Sequence, residues 1–268
     1  MRLRPLGGET ILRPIRPNLG IEAAYRKCVY ALIDEMHNST LYWLRASYRH
    51  NPPRIAQDES PADILRRSIR KLVRRWYRRF DEMAEKLAAY FAKSIAERSS
   101  ADLKKILKDG GWAVDFRMTA AMRDVVDATV HANVQMIKSI PQQYLGGVEQ
   151  IVMQSVQTGR DLEYVSNALQ GRLGVTKKRA ALIARDQNNK ATAALSRARQ
   201  LEIGINEAIW VHSGAGKEPR PSHVKAGRDK VRYDVREGWF DPHERKNILP
   251  GELINCRCIG KAVVPGFS

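Results

Sequence analysis

Three stretches near the C-terminus hold side chains able to do chemistry. They are Arg220-Pro221-Ser222-His223, Asn255-Cys256-Arg257-Cys258, and Trp210 within Ile209-Trp210-Val211-His212. A histidine set among arginines can move protons and clamp phosphate, so Arg220, His223 and Arg257 together suggest a metal-independent nuclease. The companions of such a site are missing from the sequence. No carboxylate pair or nucleophile elbow accompanies them, and Gly214-Ala215-Gly216-Lys217 lacks the spacing and following helix of a P-loop. The acids nearest in sequence, Glu218 and Asp229, lie in a stretch rich in Gly, Lys and Arg. The expected role is therefore non-enzymatic. Arg220 and His223 brace a loop as hydrogen-bond donors, the histidine to a backbone carbonyl, and Trp210 anchors a core. Residues so far apart in a Gly/Pro-rich stretch need mutual contacts to be ordered, so all three stretches are expected to pack as one module. A Cys256–Cys258 disulfide would close too small a loop for normal bridge geometry.

A second set of side chains suggests a different chemistry. Arg66, Arg70, Arg74 and Arg78 form one i,i+4 row, and Arg67, Lys71, Arg75 and Arg79 form another beside it. At ~100° per residue these eight cations occupy one side of a helix. Leu65, Ile69, Leu72, Val73, Trp76, Phe80, Met83 and Leu87 occupy the other. Residues 66–79 contain no acid. Solvated helix faces usually alternate signs, and like charges at i,i+4 repel. The strip therefore predicts a polyanionic partner, either a phosphate backbone or an acidic surface on another protein.

Composition agrees. The 268 residues include 46 Lys+Arg against 29 Asp+Glu, a formal charge of +17. Thirty of the 46 are arginine, which grips phosphate bidentately. The basic excess gathers in residues 1–80 and 171–205, while 81–170 is nearly neutral. Hydrophobic residues at 43% are enough for a core and exclude a wholly disordered chain. Three cysteines cannot build a disulfide framework, which fits a reducing compartment. No apolar run reaches membrane-spanning length and no secretory h-region opens the chain, so a soluble protein with no membrane partner is expected.

The elements that must position these residues are mostly helical. Residues 1–20, broken by Pro5, Gly7, Gly8, Pro14 and Pro17, read as an extended arm without regular structure. Helical spacing runs over 19–50 and is stopped by Asn51-Pro52-Pro53. Ser60-Pro61-Ala62-Asp63 starts a helix to about Arg98, and Ser100 caps a short one ended by Gly110-Gly111. Helices are expected at 118–139 and 142–158, and from Asp161 to about Gln170. Gly171-Arg172-Leu173-Gly174 then reads as a turn, and Thr176 caps a last helix over 177–203. Ala208–His212 is β-like. The fold class is mainly α: an arm (1–20), a helical body (21–205), and a small α+β module (206–268).

The ordered pattern Ala184-Arg185-Asp186-Gln187, Asn189, Trp210, Arg220-x-x-His223, Pro250-Gly251 and Asn255-Cys256-Arg257-Cys258 resembles the phage Mu F-type head-morphogenesis family, the minor capsid proteins of tailed phages. The resemblance covers about residues 140–260. It implies a low-copy protein inside the virion head, made in the host cytoplasm. Such a protein associates with the portal protein, contacts packaged double-stranded DNA and can leave with it on ejection. Major capsid or scaffolding protein are further implied partners. Arg185, Asp186, Asn189, Trp210, Arg220, His223, Asn255, Cys256, Arg257 and Cys258 would form its structural motif. Many members carry Cys-x-x-Cys where this chain has Arg220-Pro221-Ser222-His223, and with Cys-x-Cys that would make four zinc ligands. Here His223, Cys256 and Cys258 remain, with His243 or His212 as a fourth. The expectation is no cofactor, with two buried reduced thiols beside a hydrogen-bonded histidine; structural zinc is the alternative.

Overall fold

The computed structural model describes residues 8–50, 61–159 and 161–265. The expected stop at Asn51-Pro52-Pro53, the Ser60 cap and the first seven residues of the arm lie outside them. Within the described residues the long helices are α1 (Leu19–His50), α2 (Pro61–Asp109), α3 (Ala120–Gln157) and α4 (Leu162–Glu202). Each of three start sites is closed by a side-chain oxygen. Asn18 Oδ1 accepts from the amides of Gly20 and Ile21 (2.9 and 3.1 Å). Thr119 Oγ1 accepts from Met122 N (3.3 Å), and Asp161 Oδ1 from Glu163 N and Tyr164 N (2.8 and 3.1 Å). These satisfy amides that have no partner inside the helix. Among the described residues no helix is long and apolar enough to cross a membrane.

Three boundaries expected from the sequence do not exist, because a buried stripe continues across each. Ser100 caps nothing. Phe91, Ile95, Ser99, Leu103 and Leu107 are all buried at i,i+4 spacing, and the helix runs on through them. Pro141 lies inside α3. It removes the amide that would bond the Ile137 carbonyl, yet Ile137, Ile140, Tyr144, Val148 and Val152 form an unbroken buried face. Gly171 to Gly174 is helix and not a turn. Each helical glycine costs about 1 kcal/mol relative to alanine. Burial of Val165, Leu169, Thr176 and Ala180 along the same stripe outweighs that. Thr176 is consequently mid-helix, its hydroxyl donating back to the Arg172 carbonyl (2.9 Å).

The described residues form two compact units. One holds the residues of 23–90 and 130–184. Its core includes Ile33, Met36, Phe80, Tyr144 and Leu169, and a buried hydrogen bond joins His37 Nδ1 to the Tyr144 hydroxyl (2.7 Å). The other holds the residues up to Glu22, 91–129 and everything from Arg185 onward. It contains the sheet β1-β6-β2-β3, built from β1 (Thr10–Ile11), β6 (Ile259–Val264), β2 (Glu207–Val211) and β3 (Arg232–Asp234), all antiparallel. Part of the expected arm is thus a strand. Thr10 pairs with Val264 and Ile11 with Val263, Leu12 N donates to Ala262 O, and Leu12 and Ile15 are buried against Leu103 and Leu107. Arg232 fastens the arm further, its guanidinium meeting both Glu9 and Glu207. A two-stranded hairpin, β4 (Trp239–Asp241) and β5 (Lys246–Ile248), and a short helix α5 (Pro221–Arg228) complete the unit. Gly227 lets α5 sit close on the end of β2, since a Cβ there would collide with the backbone of His212. The fold is mainly α with a small C-terminal α+β module, as the sequence predicts.

Candidate functional site

The C-terminal stretches converge around one histidine. Pro221 opens α5 at its first position, with Arg220 extended before it, and the helix projects His223 into the core. Trp210, fully buried on β2, meets the His223 ring edge-on with centroids 5.1 Å apart, and packs likewise on Tyr233 and Trp239. Cys256 and Cys258 approach His223 Nδ1 from the loop before β6, at 3.5 and 3.6 Å. Both are free thiols.

The other ring nitrogen faces a carboxylate that the sequence did not nominate. His223 Nε2 lies 3.5 Å from Asp241 Oδ2, both side chains being buried. Asp241 closes β4, where its Oδ1 accepts from the amides of His243 and Glu244 (2.8 and 3.4 Å) and fixes the hairpin turn. Its Oδ2 also accepts from the Ser222 hydroxyl (2.9 Å). The expected bond from His223 to a backbone carbonyl is therefore not made. The relevant acid is Asp241, 18 positions on, instead of Glu218 or Asp229. Only the hairpin brings it near, and no local spacing announces it. Arg220 does brace a loop: both terminal nitrogens donate to Ile254 O (3.3 Å each), and Nε lies 3.8 Å from Glu244.

Helix α4 holds the cysteine loop from below. Asp186 Oδ1 accepts from Asn255 N (2.6 Å), and Lys190 pairs with Asp186 Oδ2 (2.9 Å). Asn189 Nδ2 donates to Cys256 O (3.1 Å). Asn255 itself adopts φ +58°, a left-handed conformation that asparagine tolerates. Two further buried anchors on α4 were not read from the sequence. Asn188 Nδ2 donates to Asn18 O (3.1 Å). Arg199 donates to Ser100 Oγ (3.1 Å), Arg117 O (2.6 Å) and Glu202 (2.7 Å).

Three of the four ligands of a tetrahedral zinc site come together here. In a tetrahedral site with Zn–S about 2.3 Å and Zn–N about 2.0–2.1 Å, neighbouring sulfur and nitrogen ligands lie about 3.6 Å apart. The two observed S···N separations match that edge, and the three ligand atoms lie within 4.8 Å of one another. A histidine ligating through Nδ1 while its Nε2–H faces a carboxylate has the usual orientation for a metal ligand. Of the described residues, His212 and His243 stay outside the cluster. His212 Nδ1 accepts from Gly214 N (3.2 Å), and His243 is exposed on the hairpin turn. Between the thiols, donation from Cys258 to Cys256 holds the Cys256 thiol well below its ordinary range against its burial, with His223 adding in the same direction; Cys258 is pushed up and keeps the proton. Such a thiolate beside the His223 ring is a donor set prepared for a cation.

The basic helix lies in the other unit. Arg66, Arg67, Arg70, Lys71, Arg74, Arg75, Arg78 and Arg79 are all exposed on α2, while Leu65, Ile69, Leu72, Trp76 and Phe80 are buried. Val73, Met83 and Leu87 are half-buried at the margin. Near the ends of the strip, Asp63 lies 3.5 Å from Arg66 and Glu82 3.8 Å from Arg78. Arg75 lies over the Trp76 ring, 5.8 Å from its centroid.

Comparison with known proteins places these observations. No solved structure matches the chain. An uncharacterized protein of Haemophilus influenzae (strain Rd) is 33% identical over 143 residues, which is 53% of this chain and 30% of that relative. The chain thus spans under a third of the length of the relative it matches. The family described as phage Mu protein F like protein matches residues 146–260, a range that takes in Arg185, Trp210, His223 and both cysteines of the site. Over residues 146–260, then, this chain is similar to the phage Mu protein F like family.

Proposed function

We propose that this is a minor, non-enzymatic structural protein of a tailed-phage head, acting in head morphogenesis. The observation that carries the reading is the family match over residues 146–260. In this account the protein sits inside the head at the portal vertex, in contact with portal protein and with major capsid or scaffolding protein. It meets packaged double-stranded DNA through α2 and can leave with it on ejection. Eight exposed cations in two rows, with about 6 Å between successive members of a row, suit a phosphate backbone and read no bases.

The module around His223 acts as a structural knot. His223 and Asp241 are buried, and each is committed to neighbours that hold loops in place, which favours a scaffold over acid–base turnover. His223, Cys256 and Cys258 would hold a structural zinc ion, and Asp241 would fix the imidazole that ligates it. Bound there, zinc would cross-link α5 to the loop before β6. Quantitative mass spectrometry of purified particles tests the assignment. The expected result is this protein at far below major-capsid copy number, and its absence from particles overturns the reading.

A further inference from the structure

The His223 cluster lies in the wall of a half-open cavity of about 730 Å³, lined by residues of a single unit. Four cations line it, Arg185, Lys217, Arg220 and Arg257, against one carboxylate, Glu218. The guanidinium of Arg220 is occupied by Ile254 O and by Glu244. Arg185 and Arg257 differ from it. The Nε of each is buried and meets no hydrogen-bond acceptor among the described residues. Burying a guanidinium N–H without an acceptor is costly, so two such groups in one cavity wall point to a ligand that supplies the acceptors. An excess of cations over carboxylates favours an anionic ligand, and the guanidinium fork matches phosphate oxygens. The volume exceeds that of inorganic phosphate and falls in the range of sites for ligands of nucleotide size.

We propose that this cavity binds the phosphoryl group of a nucleotide-sized ligand, held chiefly by Arg185 and Arg257. The site is distinct from the basic face of α2 and does not depend on the proposed role in the head. The ligand is either a free 5′-mononucleotide or a nucleotide unit of a chain, and both present the same phosphate oxygens. Calorimetric titration of the purified chain with a 5′-mononucleotide, and separately with a dinucleotide having only a phosphodiester, distinguishes them at constant ionic strength. Saturable one-to-one binding of at least one is expected. Arg185→Gln or Arg257→Gln should weaken it by about tenfold or more, and Lys86→Gln with Lys93→Gln, exposed and outside the cavity, should leave it unchanged. Should a cavity variant fail to fold, unmutated protein is treated with an arginine-selective dicarbonyl and mapped by peptide mass. The bound nucleotide is expected to protect Arg185 and Arg257 in that experiment. No saturable binding of either ligand, binding indifferent to both cavity substitutions, or modification without protection would each overturn the proposal.

Discussion

The basic face of α2 and the knot around His223 represent two ways a sequence encodes a surface. On α2 everything is local. Cations and apolar residues alternate at helical period within 25 positions, so one helix both forms the strip and buries the side that anchors it. The knot is assembled from Asp186, Trp210, His223, Asp241 and Cys256, drawn from a long helix, a strand, a short helix, a hairpin and a loop. Local codes tolerate single changes because each residue contributes little alone. An assembled site is coupled, so each part depends on the rest. Mutational sensitivity should therefore be concentrated in the knot and in the buried side of α2, and nearly absent from the exposed strip.

The largest effect is expected at the thiols. Cys256→Ser with Cys258→Ser should cost more than about 3 kcal/mol in chemical denaturation, and a chelator should reproduce the loss on unmutated protein. Elemental analysis should find one zinc per chain. A chelator without effect, together with a loss of only about 1–3 kcal/mol, would make the thiols plain buried apolar groups. Next comes the hidden side of the basic helix. Phe80→Ala should cost about 3–5 kcal/mol, whereas Arg74→Gln on the exposed face should stay within about 0.5 kcal/mol. Comparable losses from the two would erase the contrast drawn here. Asp241→Asn should then cost about 1–3 kcal/mol, because it leaves His223 Nε2 without its carboxylate while Oδ1 still serves the hairpin turn.

The smallest effect concerns pH. Burial holds the His37 imidazole below its ordinary value of 6.5, outweighing the opposing pull of a hydrogen bond to Gln170 and the charge of Asp34. The unfolded chain then binds a proton that the folded one resists. Stability from this group is complete above about pH 6.5 and is lost as the pH falls below it. Melting temperature should decline between pH 7 and pH 5, and His37→Gln should flatten the decline. A decline of the same size in that variant would assign the effect to other groups.

The same local–assembled distinction governs what could be read in advance. The strip, the Asp161 cap and the strand at Trp210 are short-range patterns, and the fold has them. The breaks expected at Ser100, Pro141 and Gly171–Gly174 failed for one reason. Intrinsic preference at one or two residues is worth about 1–3 kcal/mol, and a continuous buried stripe such as Ile137 to Val152 exceeds it. The strand at Thr10–Ile11 was hidden because its partner, Ile259–Val264, lies at the far end of the chain. Asp241 was missed for a related reason. Within its own hairpin it reads as a turn residue, and only the packing of α5 gives its second oxygen a partner.

The central functional claim is that the α2 strip grips the phosphate backbone, and salt dependence tests it most directly. Binding of the chain to a short random-sequence duplex should weaken linearly in log K against log[salt], indifferent to base sequence. Replacing Arg66, Arg70, Arg74 and Arg78 with Gln should weaken binding and flatten that slope by up to about four units. An unchanged slope would contradict the account and assign the strip to an acidic protein surface.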